Sequence, residues 1–578
     1  MNTNDSQNWL KIFFSRPFGH PFFWITLIIS IAYFSTLFYG LVYLDDNVLV
    51  KNDYQYDKNL SNIFQAFGED IFRMPHQGGS FYRPIERITF ILDAQLGEGA
   101  LVFMSHFTNV LLHIASVFLL FVFLVKLNIK KETALLLSLI FSVHPLTAQT
   151  VSFIPGRNDS LLAVFVFPAL IFFMNFLRNP KRKYYLWHLI FFALALFTKE
   201  TAAVLPLICG VYILIFSGIG KIIADRKKYL YLLAGWGSVL LFWFLVRRAV
   251  LNNFIGNADY HIVPSIIKNL PSLLPAIGKI ILPFSLSVFP AMKDMAMIYG
   301  TISLILLAIW FILAKNKNYK MIFFGASWFF LFILLTLIKP ADTVPDFSEN
   351  RIYLPMFGFI FVFLGLGKIK FPGASGNKEG NQRVQENAIF IISLLLIIVF
   401  SSVTIYRNKY YKDRLSFWNN AVETSPSFAF NHNNLGAMYY LDKNLNAAEP
   451  EFKKALELNP REKMAHNNLG LIYMDEGNFE KAEEEYNKEI EINPSYDNAY
   501  FNRGLLYYKM GRKEGAEKDW KMTLAINPNY DNALYNLAVY YYEEKNFKEA
   551  ALYAGEIARR GLPLQPEMQR LLNPLLFQ

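Results

Sequence analysis

Cysteine is almost absent: Cys209 stands alone among 578 residues, which excludes an intrachain disulfide framework and a cysteine-based zinc site. It lies in an apolar stretch and reads as a small buried side chain. Charge is sparse as well, at 18% against 54% hydrophobic and 17% aromatic residues, more apolar than a soluble chain of this size. No nucleic-acid-binding motif is present. Lys and Arg outnumber Asp and Glu by 56 to 46, an excess that in membrane proteins sits in cytoplasmic loops.

Apolar runs recur as far as Ile405, and the remainder is polar and rich in Asn, Glu, Lys and Tyr. The expected division is residues 1–411 in the membrane and 412–578 outside it. The first run, Phe22 to Leu44, is longer than a signal-peptide core and lacks a small-residue cleavage site, so it reads as a retained span. Further candidates run from Ala100 to Val125, Thr133 to Thr147, Ser160 to Leu177, Tyr184 to Thr198, Ala202 to Phe216, Leu230 to Val246, Met297 to Ala314, Met321 to Ile338, Ile352 to Gly367 and Ala388 to Ile405. That makes about eleven spans. Ile266 to Phe289, broken by Pro271, Pro275 and Pro283, reads as a helix on or dipping into the outer face. Most basic groups, among them Lys181 to Lys183, Lys315 to Lys320 and Lys368 to Arg383, fall on one side, which the positive-inside rule makes cytoplasmic. Arg247 with Arg248 and Arg407 to Arg414 fall on the other. An odd span count then places both the loop Asp45 to Gly99 and the polar C-terminal domain outside the cytoplasm, in a periplasm or lumen.

The C-terminal domain declares itself by period. Pro426, Pro460, Pro494 and Pro528 share one register, as do Ala448, Ala482, Ala516 and Ala550, and the spacing is the 34-residue helix-turn-helix period of tetratricopeptide repeats. Gly436, Gly470, Gly504 and Ala538 allow close helix approach; Phe452, Tyr486 and Trp520 anchor the second helices. Trp418 and Ala421 continue the register backwards into a half repeat, so the fold class is all-α, a polytopic membrane domain followed by a solenoid of about four repeats. Asn434, Asn468, Asn502 and Asn536 recur on the first helices. As amides that both donate and accept, they form a candidate ladder for an extended protein or peptide acceptor.

Chemistry belongs to the membrane half. Asp45 and Asp46 end the first span, where carboxylates are costly unless solvated or used. Arg83, His144, Arg157, Asp159, Lys199, Glu200 and Arg351 gather at predicted outer ends of other elements. A single cation there is an ordinary snorkelling anchor; acids and cations together suit a site that binds phosphate and moves a proton. His106 and His113 read as interior polar packing. Paired carboxylates are compatible with a divalent metal, but no ligand cluster demands one and no cofactor is required.

Leu44-Asp45-Asp46, Ser80-Phe81-Tyr82-Arg83-Pro84, His144-Pro145, Gly156-Arg157-Asn158-Asp159, Lys199-Glu200 and Arg351-Ile352-Tyr353-Leu354-Pro355, followed by the repeats, resemble the transmembrane and tetratricopeptide-repeat-containing O-mannosyltransferases, of the GT-C class. The resemblance implies an inverting glycosyltransferase moving a sugar such as mannose from a polyprenyl-phosphate donor to a hydroxyl acceptor, the expected sites being protein Ser and Thr. It implies Asp45 or Asp46 as the base, and Arg351, Arg157, Lys199, Arg83 and His144 as donor-phosphate ligands supported by Asp159 and Glu200. Gln149 departs from the pattern, where Glu is expected, and the repeats are fewer than in animal members. An oligosaccharide ligase or polymerase using a lipid-linked donor, and a non-catalytic scaffold presenting repeats, are the competing classes.

Overall fold

The computed structural model describes residues 20–73, 81–251, 262–338, 348–367, 378–564 and 566–571. Among them the chain is helical, with no β-strand, so the all-α expectation holds. The chain divides into two compact units, Met1–Ser425 and Pro426–Gln578.

Every one of the expected spans is helical in whole or part. Seven helical segments among the described residues are long and apolar enough to cross a membrane, and Glu200–Phe216 and Met297–Leu313 are shorter apolar helices. Leu101–Lys126 shows why such helices persist: no Gly or Pro interrupts its 26 residues, and the chain turns just beyond it at Asn128, whose φ is 65°. Where the structure departs from expectation, local chemistry accounts for it. The first helix covers Pro21–Tyr33, tightens into a 3-10 turn at Phe34–Phe38 and then extends, well short of Leu44. There the Thr36 hydroxyl donates to the Tyr33 carbonyl at 2.7 Å, a local bond that competes with helix continuation. Lys131–Ser142 likewise stops before His144, because a residue preceding proline is driven out of the helical region.

Residues 262–281 form two short helices, Ile262–Asn269 and Leu273–Ile281, with a 3-10 turn at Leu270–Ser272 between them. Pro275 sits in a first turn, where its missing N–H costs no helical bond. Tyr319–Leu334 and Tyr353–Leu366 approach at Gly325 and Gly358; a Cβ on Gly325 would lie 2.4 Å from the Gly358 carbonyl oxygen. Aromatic residues fill the core beside this contact, including Phe123, Phe167, Trp328, Phe357 and Phe361, while Cys209 is fully buried as expected.

The helix Arg414–Thr424 lies within the first unit, so the division falls after Ser425 rather than after residue 411. Trp418, expected to begin a half repeat, donates its indole N–H to the Val42 carbonyl at 3.0 Å. In the second unit four helix pairs follow the expected register: Ala429–Leu441 with Leu445–Leu458, Ala465–Asp475 with Phe479–Ile492, Asp497–Lys509 with Lys513–Ile526, and Asp531–Glu543 with Phe547–Arg559. A Cβ on Gly436 or Gly470 would lie 2.8 Å from Phe452 or Tyr486, and one on Gly504 2.6 Å from Trp520. The small residue and the facing ring therefore define the first three pairs, and in the fourth Ala538 and Ala554 hold those positions.

Candidate functional site

Asp45 and Asp46 are adjacent in sequence and differ in their surroundings. The Asp46 carboxylate is buried and accepts backbone N–H bonds from Val42 (2.6 Å), Leu44 (3.1 Å) and Asn47 (3.0 Å). It folds the turn that follows the first helix. Asp45 is half-buried and, among the described residues, its carboxylate accepts no hydrogen bond. Burial pushes its pKa up to about 6; the Asp46 charge adds to the rise and the Arg83 charge opposes it. Asp46 is also raised to about 6, by burial against those backbone bonds.

From Arg83 a chain of polar contacts runs to the 348–351 loop. Arg83 grips Glu200 through Nε (3.2 Å) and Nη2 (2.9 Å) and lies 3.7 Å from Glu86. Glu86, at the start of the helix Pro84–Leu96, is pushed up to about 7 by burial, against the pull of Arg83 and Lys199. Its Oε1 accepts from Asn158 at 3.4 Å, and the Lys199 ammonium donates to Asn158 at 2.9 Å and to Asp159 at 2.6 Å. The other Asp159 oxygen accepts from Asn350 at 2.9 Å. Asp159, Lys199 and Arg351 then line one cleft with Thr201, Thr336 and Leu354.

The structure thus brings together Arg83, Glu200, Lys199, Asp159 and Arg351, and withdraws two residues expected to bind phosphate. Arg157 is fully buried: Nε donates to Asn109 (2.8 Å), Nη1 to Asp93 (2.6 Å) and Thr89 (3.1 Å), and Nη2 to the Ser105 carbonyl (2.8 Å). It lies over the Phe90 ring at 4.2 Å and joins three helices. Its partner is Asp93, not Asp159. His144 is equally enclosed, with Nε2 on the Ile280 carbonyl at 3.0 Å and Nδ1 accepting the Leu146 N–H at 3.3 Å. His113, bonded to the Tyr353 hydroxyl at 2.8 Å and the Ser142 carbonyl at 2.9 Å, is interior packing as expected.

Sequence reasoning missed the residues that hold the 348–351 loop. Glu349 is fully buried and receives Lys279 at 2.5 Å, the Ser287 N–H at 3.0 Å and Arg407. Its one sequence signal was its place two residues before Arg351. Gln149, noticed only as a departure from pattern, binds Asn350 and Ser348.

In the repeats, the asparagines bond to one another. Asn468 donates to Asn433 at 3.0 Å and Asn502 to Asn467 at 2.9 Å, each reaching back one repeat, and Asn434 donates to the Phe430 carbonyl at 2.8 Å. The expected acceptor ladder is at these positions a zipper between repeats. Asn536 would need an asparagine at 501; Phe501 stands there, and the Asn536 amide nitrogen has no partner among the described residues.

No group of His, Cys, Asp and Glu suited to a metal occurs among the described residues.

Residues 98–244 match the family model described as dolichyl-phosphate-mannose-protein mannosyltransferase, and tetratricopeptide-repeat models match 431–462, 451–484, 470–511 and 498–530. Human protein O-mannosyl-transferase TMTC3 is 31% identical over 163 residues, 27% of this chain and 17% of that protein. Human TMTC4 is 25% identical over 181 residues, 28% and 24%, and Drosophila melanogaster Tmtc1 is 26% identical over 199 residues, 34% and 23%. The resemblance to the tetratricopeptide-repeat O-mannosyltransferases is borne out. The matched segments span less than a quarter of the length of these relatives. The segment that matches the mannosyltransferase model lies in the first unit and contains Arg157, Asp159, Lys199 and Glu200. Among solved structures, Pseudomonas aeruginosa pilF is similar at 22% identity over 27% of this chain and 70% of its own, with a TM-score of 0.25. MamA is similar at 24% identity over 24% and 82%, with a TM-score of 0.22.

Proposed function

We propose that the protein transfers a sugar, mannose by family resemblance, from a polyprenyl-phosphate donor to hydroxyls of a protein acceptor. The observation that carries this reading is the unbonded Asp45 carboxylate, within the field of Arg83, from which polar contacts lead to Lys199 and Asp159, beside Arg351 in one cleft. A carboxylate with raised pKa is a competent base near neutral pH, and fixed cations suit a departing phosphate. Asp45 takes the proton of the acceptor hydroxyl; its oxygen attacks the anomeric carbon, and the bond to phosphate breaks with inversion. Arg351, Lys199 and Arg83 hold the phosphate as its charge grows, while Asp159 and Glu200 orient two of those cations. A divalent metal is not required by this scheme.

The reading places Asp45 and the repeats on the non-cytoplasmic side, by the positive-inside rule and the odd span count. Asn529→Cys, made in a Cys209→Ser background, should react with an impermeant thiol reagent in intact cells; labelling only after lysis contradicts that sidedness. The activity itself is tested with purified protein in liposomes, given polyprenyl-phosphate mannose and a Ser/Thr-rich peptide. Transfer by the parent protein and none by Asp45→Asn supports the assignment. A demand for a pyrophosphate-linked oligosaccharide instead would favour the ligase class.

A further inference from the structure

The third repeat breaks the rules that the other three keep. Arg503 occupies the position held by Leu435, Leu469 and Leu537, which are buried core residues. Arg512 occupies the position held by Asn444, Asn478 and Asn546, each of which caps its second helix by accepting the N–H of Ala447, Lys481 or Glu549. The helix Lys513–Ile526 has no such side-chain cap. Gly515 replaces Ala447, Lys481 and Glu549, and Lys518 replaces Pro450, Glu484 and Leu552. Loss of a cap and of a core leucine both act against stability. Departures that cost stability and converge on one place mark a site.

They converge on a cleft of about 390 Å³ lined by Arg503, Tyr507, Arg512, Gly515, Lys518 and Asp519. The glycine keeps it open, since a Cβ there would meet the Tyr507 ring at 2.9 Å. Arg503 is held by Asp519 in a two-pronged pair (2.7 and 2.8 Å) and donates to Asn487 at 2.6 Å; Arg512 reaches Glu483 at 2.8 Å. Both guanidiniums flank the Tyr507 ring, at 5.6 and 5.8 Å from its centroid. Its hydroxyl donates to Glu483 at 3.0 Å. Lys518 is exposed and makes no ion pair among the described residues. Three cations thus meet two carboxylates in and beside the cleft, Asp519 on Arg503 and Glu483 on Arg512, and Lys518 carries the net positive charge.

We propose that this cleft binds an acidic peptide segment of a partner protein, a glutamate or aspartate carboxylate seating between Lys518 and Arg512 with its stem against Tyr507. Charge complementarity selects the occupant, and preformed cations selected by an aromatic face suit carboxylates. This binding is separate from sugar transfer and is read without it. The full chain in detergent is titrated with a fluorescein-labelled polyglutamate peptide and, as control, a polyglutamine peptide of equal length. The glutamate peptide should bind and weaken with salt. Arg512→Asn, which restores the cap of the other repeats, should weaken binding about tenfold, the loss of one charge-assisted contact, while raising the thermal midpoint. Lys518→Glu should weaken binding at least as much. Unchanged peptide affinity in both variants overturns the proposal, as does equal binding of the glutamine peptide. Binding to anionic lipid vesicles without binding to the glutamate peptide would assign the cleft to a membrane and overturn it too.

Discussion

Gln149 accepts the Asn350 N–H through Oε1 at 2.9 Å while its Nε2 donates to the Val288 carbonyl at 3.1 Å and the Ser348 hydroxyl at 3.2 Å. Only an amide, or a protonated acid, can do both. A carboxylate here would face the Val288 carbonyl without a donor. Gln149→Ala should raise the KM for donor about tenfold through displacement of Arg351, roughly the worth of one buried hydrogen bond. Gln149→Glu should approach the parent at acid pH, where the acid can donate, and resemble Gln149→Ala at alkaline pH. Parallel pH profiles for the parent and Gln149→Glu would rule this out.

The two neighbouring aspartates should fail differently. Asp45→Asn is expected to lower kcat by about 10² to 10⁴, the usual contribution of a general base, with an unchanged thermal midpoint. Asp46→Ala removes the acceptor of three backbone N–H groups and should cost about 1–3 kcal/mol of stability. Kinetics and thermal unfolding on the same preparations separate the two.

Activity should have an acid limb. As the proposed base Asp45 would have to be ionised, and its pKa is raised to about 6. Below that pH the protonated form dominates, so kcat/KM should fall about tenfold per pH unit; above it, this limb is flat. Removing the like charge in Asp46→Asn should move the midpoint down, because that charge raises the Asp45 pKa.

Arg157 and Arg351 stand in similar motifs, yet their replacements should differ. Arg157→Ala leaves Asp93 buried without its cation, a change that destabilises by about 3–5 kcal/mol, and loss of folded protein in size-exclusion chromatography is the expected readout. Arg351→Ala should leave a folded protein with weakened donor use.

Asn468→Ala with Asn502→Ala breaks two bonds between repeats. We expect a loss of about 1–2 kcal/mol in unfolding experiments and an unchanged KM for acceptor peptide. A raised acceptor KM at full stability would restore the acceptor-ladder reading.

The repeats were legible from one observation, a period, because three of the four units reuse the same small-to-large contact, Gly436 on Phe452, Gly470 on Tyr486 and Gly504 on Trp520. The apolar runs located the helices, but their ends depended on short-range bonds such as Thr36 to Tyr33 that hydrophobicity does not register. At the site, ionisable residue types were visible and their pairing was not. Arg157 finds Asp93 from another helix, and nothing local distinguishes it from Arg351. Asp45 and Asp46 are the same residue type, and only the reversal of the chain before Asn47 turns one of them toward backbone amides.

Glu349 also connects places that are far apart in the chain. It is gripped by Arg407, near the end of the helix Lys378–Asn408, and it lies two residues before Arg351. That helix and the 348–351 loop are therefore cross-linked by a buried ion pair. The anchor on one helix thus fixes where the backbone that carries Arg351 can lie, whatever that side chain meets.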